Sequence, residues 1–216
     1  MRLWLLPSIL AWGLVITGYA APKNWPQWRG PNGDGITQNE LVPTNWGESK
    51  NLKWKLKLPG PGASSPIIWG NQLFLTCYSG YGVSKANGNL QSLMRHVVSV
   101  DTKTGKIQWQ KDIKAQGNED QYGGMGVPEH GYATATPATD GKAVYVYLGK
   151  TGLIAFDLNG RELWHAATGI NSSRKRWGAS ASPVLYEGKV FLNDLLRGHQ
   201  ILALNKTNGK VAWKWS

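Results

Sequence analysis

The chain repeats itself, and that repeat is the tightest constraint on its fold. Three segments share one order of features: small residues ending in proline, a glycine or asparagine turn, two apolar strands, a glycine turn, and a strand carrying tryptophan. The first runs from Ala63-Ser64-Ser65-Pro66 through Leu73-Phe74-Leu75 to Asp101-Thr102-Lys103-Thr104-Gly105 and Trp109. The second runs from Thr134-Ala135-Thr136-Pro137 through Ala143-Val144-Tyr145-Val146 to Asp157-Leu158-Asn159-Gly160 and Trp164. The third runs from Ser180-Ala181-Ser182-Pro183 through Val190-Phe191-Leu192 to Asn205-Lys206-Thr207-Asn208-Gly209 and Trp213.

Each copy predicts four short antiparallel strands, which is a propeller blade in an all-β protein. Ala, Ser and Thr on the innermost strand let blades converge at an axis, while Trp109, Trp164 and Trp213 on the outer strands fill the widening space between sheets. The predicted inner strands cover 63–69, 133–139 and 179–185. A sandwich would not repeat its proline and tryptophan positions, and a parallel solenoid would have a shorter period. Composition agrees: a charged fraction of 17%, with 27 glycines and 11 prolines spread along the chain, argues against a helical bundle, and 12 tryptophans argue against disorder.

The segments around these tryptophans resemble the tryptophan-docking repeat of the PQQ-binding-like (quinoprotein-type) β-propellers, which runs Ala, any, Asp, two residues, Thr, Gly, three residues, Trp. Residues 99–109 match with Ser99 for Ala, residues 155–164 lack the Thr and are one shorter, and residues 203–213 carry Asn205 for Asp and Asn208 for Thr. The opening Trp25-Pro26-Gln27-Trp28-Arg29-Gly30-Pro31-Asn32-Gly33-Asp34-Gly35 resembles the leader of secreted bacterial members of this family. The resemblance implies the fold strongly and the chemistry weakly, since one fold hosts many functions.

The first twenty residues read as an export signal: Arg2, an apolar stretch from Leu3 to Ile16, and small residues Gly18 and Ala20 before a cleavage point after Ala20. The alternative, a retained membrane anchor, is weakened by Pro7, Gly13 and Gly18. The expected organisation is a signal over 1–20, a leader and closing strand over 21–61, and blades over 62–114, 131–168 and 177–216. Lys53, Lys55 and Lys57 alternate with Trp54, Leu56 and Leu58, the pattern of a strand with one wet face. In family members of this shape such a strand closes the ring by joining the last blade. Rings of seven or eight blades at the observed tryptophan spacings of 55 and 49 residues would need roughly 350–400 residues. An incomplete ring of about three blades is therefore expected, to be completed by missing blades or by another chain.

The net charge of +11 raises a nucleic acid as partner. Its placement on alternating strand positions favours a solvated face, so nucleic acid is not expected, nor is an integral membrane segment after signal cleavage. The expected location is the periplasm or the extracellular space.

Quinoprotein alcohol dehydrogenases resembling this fold hold pyrroloquinoline quinone between a tryptophan and a vicinal cysteine disulfide, beside calcium and an aspartate base. Cys77 is the only cysteine, which excludes that disulfide, and no acidic cluster suits a calcium cage. No nucleophile elbow or phosphate loop occurs, and His96, His130, His165 and His199 are too far apart for a helical zinc pair. No catalytic residue, metal or cofactor is assigned; the quinone enters by resemblance alone.

Setting Pro137 on Pro183 places His130 over Arg176, Gly131 over Trp177 and Tyr132 over Gly178. His130, Tyr132, Arg176 and Trp177 are thus expected at one mouth of the central channel, where a basic and aromatic set suits an anionic or sugar-like ligand. The competing reading has them capping blade edges. Long insertions over 77–95 and 115–130 add candidate binding loops. The expected function is that of an exported, non-catalytic propeller that binds or scaffolds a protein or carbohydrate partner. The alternative is a fragment of a quinoprotein-like oxidoreductase.

Overall fold

A computed structural model describes residues 24–37, 42–84, 87–116, 119–123, 127–172, 178–194 and 200–216. The expected export segment lies outside these residues. The chain forms three four-stranded antiparallel sheets, each built in chain order. Blade 1 comprises β1 (Ile67–Trp69), β2 (Gln72–Ser79), β3 (Met94–Asp101) and β4 (Ile107–Lys114). A four-residue helix, α1 (Val127–His130), precedes blade 2, which comprises β5 (Ala138–Thr139), β6 (Ala143–Tyr147), β7 (Leu153–Asp157) and β8 (Glu162–Ala166). Blade 3 comprises β9 (Val184–Tyr186), β10 (Lys189–Asp194), β11 (Gln200–Asn205) and β12 (Val211–Trp215). These are partial-propeller blades in an unclosed arrangement.

The cores lie between blades rather than within them. Ile67, Phe74 and Val97 of blade 1 pack on Val144, Val146, Ile154 and Phe156 of blade 2. The other face of blade 2, with Tyr145, Leu153 and Trp164, packs on Val190, Leu192, Leu202 and Leu204 of blade 3. Strand alternation makes this possible, because successive side chains serve opposite neighbours.

The tryptophans fasten the joints. The Trp109 indole N–H donates to the Leu158 carbonyl at 2.8 Å, and Trp164 donates to the Lys206 carbonyl at 2.9 Å. Each ring lies on the glycine of the same turn: a Cβ at Gly160 would sit 2.8 Å from the Trp109 ring, and one at Gly209 would sit 2.5 Å from the Trp164 ring. Both glycines also have positive φ, at 83° and 68°, so no side chain fits there on either ground. A bulge recurs between Ser99 and Val100, between Ala155 and Phe156, and between Ala203 and Leu204. It inserts an extra residue just before each tryptophan and re-aims the outer strand toward the next blade.

The inner strands are shorter than expected, and the reason is chemical. The residues before Pro66 and Pro137 bond across to the neighbouring blade instead of along their own ladder. The Ser65 N–H donates to Thr136 Oγ1 at 3.1 Å, and the Thr136 N–H donates to Ser182 Oγ at 3.0 Å. Ser182→Ala should therefore cost about 1–2 kcal/mol by orphaning the N–H of buried Thr136, as chemical denaturation would read.

Leu52–Leu58 runs extended against blade 1. Trp54, Leu56 and Leu58 pack on Cys77, Val98 and Val100, and Lys53, Lys55 and Lys57 point to water. Trp54 repeats the tryptophan fastening: its indole donates to the Thr102 carbonyl at 3.0 Å, and a Cβ at Gly105 would sit 2.6 Å from its ring. Among the described residues this segment pairs with no strand of a last blade. The insertion between β2 and β3 is also shorter than the 77–95 read from sequence. Tyr78 pairs with Arg95 and Ser79 with Met94, so the loop is 80–93.

One ion pair crosses the joint between blades 2 and 3, Lys206 Nζ to Asp140 Oδ2 at 2.6 Å. Burial pushes the Asp140 carboxyl up, but Lys206 and the N–H groups of Ala143 and Lys142 outweigh it and hold the acid below its ordinary range. A depressed folded-state pKa stabilises above the unfolded value and loses that contribution as pH falls through the folded one. Asp140→Asn should thus lower the melting temperature at pH 7, and the gap from the unmodified chain should close below about pH 4.

Candidate functional site

Strand β3 places a guanidinium, Arg95, inside the fold between buried Leu93 and Val97. It is buried, and it gathers groups from three parts of the chain. Its Nη1 donates to Glu119 Oε1 at 2.8 Å and to Thr151 Oγ1 at 3.1 Å, and its Nε donates to the Tyr132 carbonyl at 2.8 Å. Beside it, Lys150 Nζ donates to Asp120 Oδ1 at 3.2 Å and to Ser172 Oγ at 2.9 Å, and Ser172 also bonds Asp120. In both ion pairs the side chains are less than a tenth exposed. A buried pair adds little net stability over an apolar pair, but breaking one is expensive. Residues 119–123 and 127–132 are thereby tied to blade 1 through Arg95 and to blade 2 through Lys150 and Thr151.

The expected site residues fall as follows. Tyr132 is buried with Tyr78, Tyr81 and Val127, edge-on to Tyr78 at 5.4 Å, and its hydroxyl donates to the Asp120 carbonyl at 2.8 Å. Burial pushes its phenol pKa up, so it stays neutral. Tyr132 offers its backbone carbonyl to Arg95. His130, at the end of α1, is half-buried with Nδ1 2.8 Å from Thr134 Oγ1. Arg176 and Trp177 lie outside the described residues. Gly178, which follows them, is next to His130: a Cβ there would be 3.6 Å from the ring. The sequence reading passed over Arg95, Glu119, Asp120 and Lys150. The signal was available in Arg95, a charge placed between the apolar residues Leu93 and Val97.

Three hollows meet here. A water-sized space of about 30 Å³ is enclosed by Arg95, Glu119, Asp120 and Tyr147. A groove of about 270 Å³ runs along Tyr122, Pro128, Glu129 and His130. A wider groove of about 620 Å³ follows the axis, lined by Ser65, Thr136 and Ser182 and by Gln27 and Trp28 of the leader. The leader reaches this position because Trp25 bridges Ile68 and the Pro26 carbonyl accepts the Thr139 N–H. Its Asn32–Gly35 stretch forms a turn in which Asp34 Oδ1 accepts the Ile36 N–H at 2.9 Å.

A second polar cluster occupies blade 1. His96 Nε2 is 2.8 Å from Ser79 Oγ, and Nδ1 is 2.7 Å from Asp112 Oδ1. That is the bonding order of a nucleophile relay, yet the chain at Gly60 crosses so close that a Cβ there would fall 1.9 Å from the Tyr78 carbonyl oxygen. Substrate approach to Ser79 from that side is closed, and His96 reads as a buried histidine satisfied by cross-strand neighbours. Its hydrogen bond, then that of Gln110, holds the Asp112 carboxyl below its ordinary range.

The residues present do not fit a quinone held by a disulfide, because Cys77 is single and fully buried in a strand. Among the described residues no three His, Cys, Asp or Glu side chains group as metal ligands. No described helix is long and apolar enough to cross a membrane.

Residues 80–216 match a family model described as outer membrane protein assembly factor BamB. A search of curated proteins gives no match. Among solved structures, the quinohemoprotein alcohol dehydrogenase of Comamonas testosteroni is similar at 19% identity and TM-score 0.45, over 72% of this chain and 21% of that one. The quinohemoprotein alcohol dehydrogenase ADHIIG of Pseudomonas putida HK5 is similar at 15% identity and TM-score 0.46, over 70% of this chain and 26% of that one. BamB from Moraxella catarrhalis is similar at 15% identity and TM-score 0.39, over 72% of this chain and 46% of that one. The chain thus spans about a fifth to a quarter of the two dehydrogenases and under half of BamB.

Proposed function

Since this chain belongs to the PQQ-like β-propeller family described by BamB, we propose that it is an exported, non-catalytic propeller module that binds a protein partner at the channel mouth. The observation that carries this reading is the pinning of residues 119–123 and 127–132 by the buried Arg95–Glu119 and Lys150–Asp120 pairs and by the Arg95 bond to the Tyr132 carbonyl. Long loops are costly to order on binding, and a loop already fixed to the scaffold avoids that cost. The fixed loop presents Pro128, Glu129 and His130 beside a groove with Tyr122 and Tyr78, and Tyr132 packs edge-on to that Tyr78. Arg176 and Trp177 belong to the same proposed surface through their place in the repeat. Export rests on the signal-like residues 1–20 and points to the periplasm or the extracellular space.

Photocrosslinking in the producing cell tests the reading. A photoreactive residue at position 129 or 130 should give a discrete protein adduct, whereas one at exposed Glu162 should not. Adducts only to glycan at 129 and 130 would replace the protein partner by a carbohydrate one. Stoichiometric pyrroloquinoline quinone binding with dye-linked dehydrogenase activity in the purified chain would overturn the non-catalytic reading and favour the oxidoreductase fragment.

A further inference from the structure

Asparagine followed by glycine is a chemically labile pair, because no side chain on the glycine keeps its nitrogen away from the asparagine amide. The chain has four such pairs, beginning at Asn32, Asn87, Asn159 and Asn208. All four asparagines are exposed, so access does not separate them. The glycine N–H does. Gly33 donates to the Gly30 carbonyl at 3.2 Å, Gly160 to the Asp157 carbonyl at 3.0 Å and Gly209 to the Asn205 carbonyl at 2.9 Å. The related pairs Asp34–Gly35 and Asp140–Gly141 are held in the same way, by the Arg29 carbonyl at 2.8 Å and by Thr139 Oγ1 at 3.1 Å. Gly88 differs. It lies opposite Tyr81 in a bridge whose bond runs through the flanking residues, from the Gly82 N–H to the Asn87 carbonyl at 3.1 Å. Among the described residues the Gly88 N–H has no acceptor. A residue that would shield this nitrogen does not fit: φ is 90°, and a Cβ would sit 2.4 Å from the Gly80 carbonyl oxygen.

We propose that Asn87 is a site of spontaneous deamidation, and that its conversion loosens the Tyr122 wall of the neighbouring groove. The Gly88 nitrogen, having given its proton to water, attacks Asn87 Cγ. The new N–Cγ bond closes a succinimide ring, the Cγ–Nδ2 bond breaks, and Nδ2 leaves as ammonia with a proton returned by water. A second water opens the ring at either carbonyl and leaves aspartate or isoaspartate, so the net change is one water taken up and one ammonia released. Among the described residues Asn87 Nδ2 keeps a single bond, to Ser84 Oγ at 3.2 Å, which leaves Cγ open to attack. In isoaspartate the main chain runs through Cγ, and the former Asn87 carbonyl becomes part of a free carboxylate. That carbonyl is the acceptor that holds Gly82. Gly82 in turn accepts the Tyr78 hydroxyl at 2.9 Å, and a Cβ on it would lie 2.8 Å from the Tyr122 ring and 3.0 Å from the Tyr132 ring. One altered peptide link therefore moves the backbone on which two rings rest, and adds a negative charge to the loop that lines the groove with Gly82 and Val83. The inference does not depend on what the groove binds.

The test ages the purified full chain in mildly alkaline buffer and follows each asparagine by peptide mapping, where conversion adds about one dalton. Position 87 should convert faster than positions 32, 159 and 208 by roughly fivefold or more, the ratio that one ordinary hydrogen bond sustains. In denaturant the four rates should converge, since the protecting bonds are gone. Equal rates in the folded chain, or a preference for position 87 that persists unchanged in denaturant, overturns the site. The loosening has its own readout. The isoaspartate form, separated by ion exchange, should show faster amide exchange than the fresh chain at Gly82, whose N–H bonds Asn87, and at Tyr122, whose N–H bonds the Tyr81 hydroxyl at 3.1 Å. Asn87→Gln aged in parallel should keep the exchange of the fresh chain at both positions. Unchanged exchange in the isoaspartate form, or an equal rise in aged Asn87→Gln, overturns the link from Asn87 to the groove wall.

Discussion

Trp164→Ala should destabilise the protein by about 3–5 kcal/mol, the usual range for deleting a buried large aromatic side chain. For a chain of this length that is a fall in melting temperature on the order of 10 °C, measurable by calorimetry. Three losses combine: the ring leaves the cluster shared with Tyr145, Leu153 and Val190, the Lys206 carbonyl loses its donor, and Gly209 keeps its positive φ with nothing to pack on. Trp213→Ala, chemically the same substitution one blade later, should change stability by less than about 1 kcal/mol, since surface substitutions outside special contacts are usually small. The contrast isolates the joint from the residue. Equal effects at the two positions would show that blade membership, and not interblade burial, sets the value of these tryptophans.

Arg95→Ala should be of similar size, about 3–5 kcal/mol, because it strands Glu119 without its charge partner in a site where both side chains are almost fully buried. Here the decisive observation is the double variant. Arg95→Met with Glu119→Leu removes both charges and fills the space with apolar atoms, and should recover most of the loss. Recovery in stability should come with altered binding at the mouth, because the Tyr132 carbonyl and Thr151 hydroxyl lose the guanidinium that gathers them. Limited proteolysis of Arg95→Ala should cut first within residues 119–132, before the blades unfold. Cleavage first at a turn between strands would contradict the pinning role.

The parts of this structure visible in the sequence are those that recur. Trp109 and Gly160 are 51 residues apart and Trp164 and Gly209 are 45 apart, yet the repeat alone pairs them, because each copy must meet the next in the same way. The prolines after Ser65, Thr136 and Ser182 were legible as repeat marks, but their consequence was not. Whether a residue before proline bonds within its own sheet or across to the next depends on how closely the inner strands converge, and no local pattern encodes that distance. The candidate site was half legible. The repeat singled out His130 and Tyr132, but the side chains that fix the loop around them are unrepeated. Arg95 and Glu119, or Lys150 and Asp120, are separated by 24 and 30 residues and share no periodicity. His96 posed the same problem: its partners Ser79 and Asp112 become neighbours only through strand register.

The hydroxyl series at the inner strands has a thermodynamic consequence. Blade 2 supplies an acceptor to blade 1 and takes one from blade 3, so the structure is coupled serially, nearest neighbour to nearest neighbour, as in an array of repeats. Stability is then a property of junctions, and a blade with two junctions outlasts a blade with one. Amide exchange should be slowest in β6 and β7, which face partners on both sides, and fastest in β12, whose residues are all exposed.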